Sequence, residues 1–270
     1  MISVLRTEAA KQVRRPRTWV ALGVMVAVPV IVTIALYANP PDRAGGRGNG
    51  FFFLAQFSGL LMPVAALQFM SRFLLVAVVA MFAGDAISSE ASWGNLRAML
   101  TRPVSRGRLL AAKSAMVAIL VVAATGLVVV AALVAGVIAF GWHPINVPAL
   151  GIDQSTGELL GNLTVATLYV AIQVAGIAAI GLMVSTMTDS AAGAAAAAFG
   201  VYITSAILDG IDAIGSIRNV FPTHYFDAWN SLFTGGQTTD MIRGLLVQLA
   251  YVVVAGTVAW WWFRRKDVLS

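Results

Sequence analysis

Between Leu159 and Leu208 the chain carries a single charged residue, Asp189. As α-helix at 1.5 Å per residue this stretch is about 75 Å long, more than twice the ~30 Å hydrocarbon thickness of a bilayer. It has to fold back on itself, so it reads as two membrane spans with Asp189 and the polar run from Ser185 to Ser190 at the turn. A second run, Ser114 to Phe140, is uncharged over 27 residues. Both runs are continuous and lack the period-two alternation of a transmembrane barrel. Composition agrees: 59% of residues are hydrophobic and 11% charged, whereas soluble domains are about one quarter charged. The fold class is an all-α integral membrane protein.

Read from the N-terminus, residues 1–17 form an amphipathic helix. Ile2, Leu5, Ala9 and Val13 share one face, while Arg6, Lys11, Arg14 and Arg15 take the other, a pattern suited to the headgroup layer. Six spans follow at about 19–37, 56–83, 111–139, 160–186, 190–208 and 243–263, within one transmembrane domain covering 1–270. The second apolar run is too long for one straight span, and Pro63 marks a candidate bend. The fifth is rich in alanine and glycine, which let helix backbones approach closely, so burial within the bundle is expected. Between the fifth and sixth spans, Ile211, Ile214, Ile217, Val220, Phe221 and Phe226 make the segment too apolar for a free loop. Short helices at the interface are expected there.

The longest polar excursion runs from Gly84 to Lys113, with 84–110 as its functional part. Ser88 and Ser89 are candidate helix caps, with Glu90 in the first turn. Trp93, Leu96 and Leu100 then give an apolar stripe at helical spacing. Pro103 ends this short helix, and Ser105 is placed to cap a second one carrying Arg106, Arg108 and Lys113.

Thirteen of the eighteen Lys and Arg residues fall in the N-terminal unit, this excursion and the tail Arg264-Arg265-Lys266. By the positive-inside rule those three are cytoplasmic, which puts both termini inside a multi-pass protein of the cell inner (cytoplasmic) membrane. The net charge of +6 is not gathered into a patch with interleaved aromatics, so no nucleic acid is implied. There is no cysteine, and His143 and His224 have no neighbours at metal-ligand spacing. No G-x-x-x-x-G-K-[ST] loop occurs, so this chain does not cradle and split ATP itself. Arg72 is the one fixed charge expected well inside a span; an intramembrane arginine marks a functional site by default, and the other reading is that it snorkels to the outer interface. Phe57 and Met62 of the same run join it as candidates for lining a translocation route.

These features together resemble the permease subunit of an ABC transporter of the type 2 exporter family. The resemblance rests on Gly84-Asp85, Glu90, Gly94, Leu96, Leu100 and Arg102-Pro103-Val104-Ser105-Arg106. Phe221-Pro222-Thr223-His224, Trp229, Leu232-Phe233 and Phe263-Arg264-Arg265-Lys266-Asp267 support it. It implies that 84–110 holds a coupling helix docking on a separate ABC-type ATPase subunit, which binds ATP and Mg while this chain binds no cofactor. Asp85, Glu90, Trp93, Gly94, Leu96, Arg97, Leu100, Arg102, Pro103 and Arg106 then form the coupling region. It further implies a second permease subunit, identical or related, in contact with membrane lipid, and outward transport of an amphiphilic, drug-like or lipid-like substrate. The alternatives are a free-standing secondary transporter and a membrane-embedded enzyme. Repeated halves with broken helices and intramembrane acids would mark the former, and acid or histidine clusters the latter.

Overall fold

The computed structural model describes residues 2–40, 58–92, 105–143, 145–147 and 152–265. Helix α1 spans Ile2–Val13 and α2 spans Pro16–Ala38, with Pro16 at the first helical position, where its missing N–H costs nothing. A 3-10 turn, Gly59–Leu61, leads into α3, Met62–Met70, and residues 71–73 join this to α4, Leu74–Ser92. Helix α5 runs Arg106–Phe140 and ends at Gly141, whose φ of 80° suits glycine. A small antiparallel hairpin follows, β1 Ile145–Val147 with β2 Ile152–Gln154, pairing Asn146 with Asp153.

Helix α6, Thr156–Met187, opens on a capping box between Ser155 and Glu158. Helix α7, Ala191–Asp209, opens with the Ser190 hydroxyl accepting from the Gly193 N–H, so Asp189 lies in the tight turn between the two. The segment from Asp212 to Asn230 is 3-10 helix and turn, followed by the single turn α8, Ser231–Thr234. The last helix is α9, Thr239–Arg265.

Among the described residues five helices, α2, α5, α6, α7 and α9, are long and apolar enough to cross a membrane. Helices α3 and α4, bent by 61° at their junction, are together long and apolar enough to count as a sixth, broken span. The bend is at residues 71–73 and not at Pro63, because Pro63 sits in the first turn of α3, where a proline breaks no hydrogen bond. The two ends of this broken span are fixed by their neighbours. Gly59 N–H donates to Gly141 O and the Ser58 hydroxyl to His143 O, which sets the start of α3 at the Gly141 end of α5. The end of α4 lies against α1 and the start of α5.

Packing is pairwise: α9 on α6, α4 on both α6 and α7, and α2 on α5. Two close crossings depend on glycine. A Cβ on Gly59 would collide with the Gly136 backbone, and one on Gly84 would lie 2.5 Å from the Ala195 nitrogen. The second crossing corrects the expectation for the fifth span. Helix α7 approaches α4 through Ala195 and buries Ala194 and Ala198, but its small residues extend around the helix. Ala192, Ala196, Gly200 and Thr204 therefore remain exposed in the single chain.

Candidate functional site

The polar residues Asp85, Ser88, Ser89 and Glu90 begin no solvated helix. They continue α4 and are buried. Ser88 and Ser89 are not caps, since their hydroxyls donate back to Gly84 O and Asp85 O one turn earlier. Glu90 sits near the end of α4 and in no first turn. These side chains are polar because charges from three other elements meet them there.

Lys113 on α5 is 2% exposed, and its ammonium lies 2.8 Å from Glu90 Oε2 and 3.2 Å from Glu8 Oε2. It also donates to Ala86 O at 2.8 Å. Lys11 on α1 closes the ring, donating to Glu8 Oε1 at 3.0 Å and Glu90 Oε1 at 2.9 Å. Glu8 and Glu90 are each 5% exposed, so two carboxylates and two ammonium groups share one largely dry site. Burial pulls the Lys11 ammonium down, but the hydrogen bonds and charges of Glu90 and Glu8 outweigh it and hold the group above the ordinary lysine value.

One turn toward the membrane a second cluster repeats the pattern. Asp85 accepts from Arg15 Nη1 at 3.0 Å and Arg17 Nη1 at 2.6 Å, which ties the junction of α1 and α2 to α4. From the other side the Ser185 hydroxyl of α6 donates to Gly84 O at 2.7 Å and accepts from the N–H groups of Ile87 and Ser88. A buried charge is tolerated only when paired and hydrogen-bonded, and each acid here has at least two cationic neighbours. The arrangement holds α1, the end of α4 and the start of α5 as one body. The face that α1 turns inward carries Glu8 and Lys11 beside its apolar residues, so the helix docks on protein and does not merely lie in headgroups.

Of the coupling residues named from sequence, Asp85 and Glu90 belong to this network. Arg106 opens α5 and donates to Arg264 O at 2.9 Å, joining α5 to the end of α9. Trp93, Gly94, Leu96, Arg97, Leu100, Arg102 and Pro103 lie outside the described residues, as does Phe57. The short helix expected over Trp93 to Leu100 falls there too. Lys11, Arg15 and Lys113 stood out in the sequence only as basic residues of their helices, and Glu8 and Arg17 were not singled out. Two signals were available: Glu8 is the one acid in an otherwise basic helix, and Lys113 interrupts the apolar face of α5 two turns after its start.

The opposite end is built differently. Residues 221–233 turn inward, and Phe226, Trp229 and Phe233 are buried. Four side chains from α6 and α9 hold carbonyls of this segment or its entrance. Tyr251 donates to Val220 O at 3.1 Å, Gln248 to Pro222 O at 2.6 Å, Tyr169 to Tyr225 O at 2.7 Å and Asn162 to Leu232 O at 3.1 Å. Gln248 also donates to Gln173 Oε1 at 2.8 Å, which links α9 to α6 inside the bundle. Of the apolar residues noted from sequence, Phe226 is buried, whereas Ile211, Ile217 and Val220 stay exposed.

Arg72 lies at the break in the second span and not within a continuous helix. Its guanidinium pairs with Asp227 through Nε at 3.3 Å and Nη2 at 2.5 Å, and its carbonyl, released by the break, accepts from the Tyr202 hydroxyl at 2.6 Å. With its side chain 57% exposed, Arg72 stands at the surface of the single chain. Met62, by contrast, is fully buried against Gly136.

The geometry is that of a helical membrane unit with a charge-locked platform at one end and a hydrogen-bonded inward segment at the other. Among the described residues it offers no reactive constellation: His224 Nδ1 meets Asp209 Oδ1 at 2.5 Å, and His143 lies beside Gly141 at the end of α5. No curated protein matches the chain. Residues 4–205, from the charge-bearing helix α1 to the broken span and α7, match the model described as ABC-2 family transporter protein, and the chain belongs to that family of membrane-spanning transport subunits.

Proposed function

We propose that this chain is the permease subunit of an ATP-driven exporter, moving an amphiphilic, drug-like or lipid-like substrate outward. In this reading the coupling helix within 84–110 docks on a separate ABC-type ATPase subunit that carries the ATP and Mg. Two permease subunits, identical or related, enclose the route. Both termini face the cytoplasm, and the protein resides in the inner membrane.

The observation that carries the reading is the buried charge network. Residues 93–104 connect α4 to α5, and Glu90 and Lys113 on those two stems are bound to each other and to α1. A docking helix can transmit a stroke only if its stems are stiff, and mutually satisfied buried charges make them so. ATP-driven closure of the partner then displaces α1, α4 and α5 together instead of bending one linker.

Co-purification tests the docking. Leu96→Asp places a charge in the apolar stripe and is expected to abolish recovery of the P-loop ATPase on the tagged permease, while membrane insertion is unchanged. Undiminished recovery of the ATPase with the inserted variant would refute the docking assignment.

A further inference from the structure

On the surface between α2 and α5 lies a groove of about 720 Å³ that plays no role in the platform or the inward segment. Its floor comes from a sequence pattern. Ala131, Ala135 and Ala139 follow one another at four-residue spacing on α5, so a row of methyl groups stands where neighbouring rows carry larger side chains. The walls are Val130, Val134 and Ile138 on the α5 side, and Val26, Val30 and Ile34 on the α2 side. Among the described residues no charged side chain lines it. The Thr33 hydroxyl is engaged with Pro29 O at 2.8 Å, and the other polar side chain of the lining is Tyr37, at one end.

Both walls are membrane spans, so the groove opens into lipid. From Val26 to Tyr37 it runs along α2 for about 16 Å at 1.5 Å per residue. One leaflet of a ~30 Å hydrocarbon core is about 15 Å deep. The groove is therefore one acyl chain long. Its outer end carries the aromatic residues that favour the headgroup level: Tyr37, packed edge-on against Phe140 with ring centres 6.2 Å apart, and the exposed Trp142 just beyond.

A second copy of the chain is a poorer occupant. Helices associate in lipid by bringing small residues of both partners together, and here the branched rims hold a helix of about 10–12 Å diameter off the alanine floor. The exposed small-residue face belongs to α7, which packs on a different pair of helices.

We propose that this groove seats one acyl chain of a phospholipid from the leaflet on the Tyr37 side, with the headgroup beside Tyr37 and Trp142. A flexible chain fills the trench, whereas an empty one would leave its lining without contact partners. The site is independent of the transport reading and stands whether or not an ATPase docks at the other end.

The test uses the full chain in vesicles of phosphatidylethanolamine with a minor share of phosphatidylglycerol, doped with a phospholipid bearing a diazirine in one acyl chain. After illumination, peptides are mapped by mass spectrometry. Labelling of Val30, Ile34 and Val134 is expected to exceed that of Leu246 and Val253, exposed positions on α9, by about tenfold, the ratio given by 1.4 kcal/mol of preference. Ala135→Leu, and separately Ala131→Phe, should lower groove labelling to the α9 level without altering labelling on α9, which also reports that the variants remain folded. Equal labelling of groove and α9 in the unaltered protein would overturn the site, whatever the variants do. The chain has no cysteine, so Val134→Cys alone reports on self-contact. Efficient disulfide dimers through that position would mean that a second copy fills the groove, and would also overturn the proposal.

Discussion

At one end of the molecule Lys113 is enclosed between Glu8 and Glu90 in a nearly dry site. At the other, backbone carbonyls of residues 220–232 are held by neutral donors: Tyr169, Gln248, Tyr251 and Asn162. Both solutions satisfy polar groups inside an apolar bundle, but they fail differently. Removing one member of a charge ring leaves an uncompensated buried ion, whereas removing a neutral donor leaves a carbonyl short of one bond. The charged end is thus the more cooperative of the two, as suits a platform that has to move as a unit. The far end is anchored bond by bond, and the ion pair that ties it to the broken span, Arg72 with Asp227, is open at the surface.

Mutations at the two ends sharpen the contrast. The largest expected effect is at Lys113→Met, which leaves the buried carboxylates of Glu8 and Glu90 to share the single charge of Lys11. It should destabilise the purified chain in detergent by about 3–5 kcal/mol in denaturant unfolding. Adding Glu8→Gln and Glu90→Gln to it should restore most of the loss. A single-variant cost below about 1 kcal/mol would mean the ring behaves like a solvated surface pair.

Gln248→Leu comes next. It leaves Pro222 O and the Gln173 side chain without their shared partner, at a cost of about 1–3 kcal/mol. Hydrogen exchange should rise across 220–233 and stay unchanged in α1. A rise at both ends would show that they are not separately anchored.

The smallest effect on stability is expected at Arg72→Ala, about 1 kcal/mol or less in detergent, because the pair with Asp227 is half open. Its consequence should appear in transport. ATP-dependent export in vesicles is expected to slow with Arg72→Ala and to be partly retained with Arg72→Lys, which keeps the charge but not the two-point contact. Unaltered export in both variants would remove Arg72 from the route.

The same contrast explains what could be read from residues alone. The apolar runs 114–140 and 159–208, and the turn at Asp189, are legible because a bilayer imposes length and lack of charge on any helix that crosses it. The apolar content of 211–226 signalled short helix there, and Asp212–Val220 is 3-10 helix, but Ile211, Ile217 and Val220 stay exposed. The platform was harder. Asp85, Ser88, Ser89 and Glu90 look like the start of a solvated helix, because polarity in a sequence does not distinguish exposure to water from pairing inside protein. Only the approach of Glu8 and Lys11 from α1 and Lys113 from α5 makes them interior. The alanine-rich fifth span failed in the opposite sense. Small residues allow close approach on every side, but a neighbour occupies only some of them, and α4 takes one face of α7.

The amino-acid sequence by itself determined that the chain is a bundle of membrane-crossing helices with a charged end and an opposite end, since hydropathy and charge placement act locally and need no partner. The tertiary structure alone decided which charges are paired, that the second span breaks at residues 71–73 and not at Pro63, and that three alanines of α5 face a trench instead of a helix. Those outcomes depend on contacts between residues far apart in sequence, 105 positions for Glu8 and Lys113 and 155 for Arg72 and Asp227. No local preference encodes a contact at that separation, because it exists only once the helices have packed.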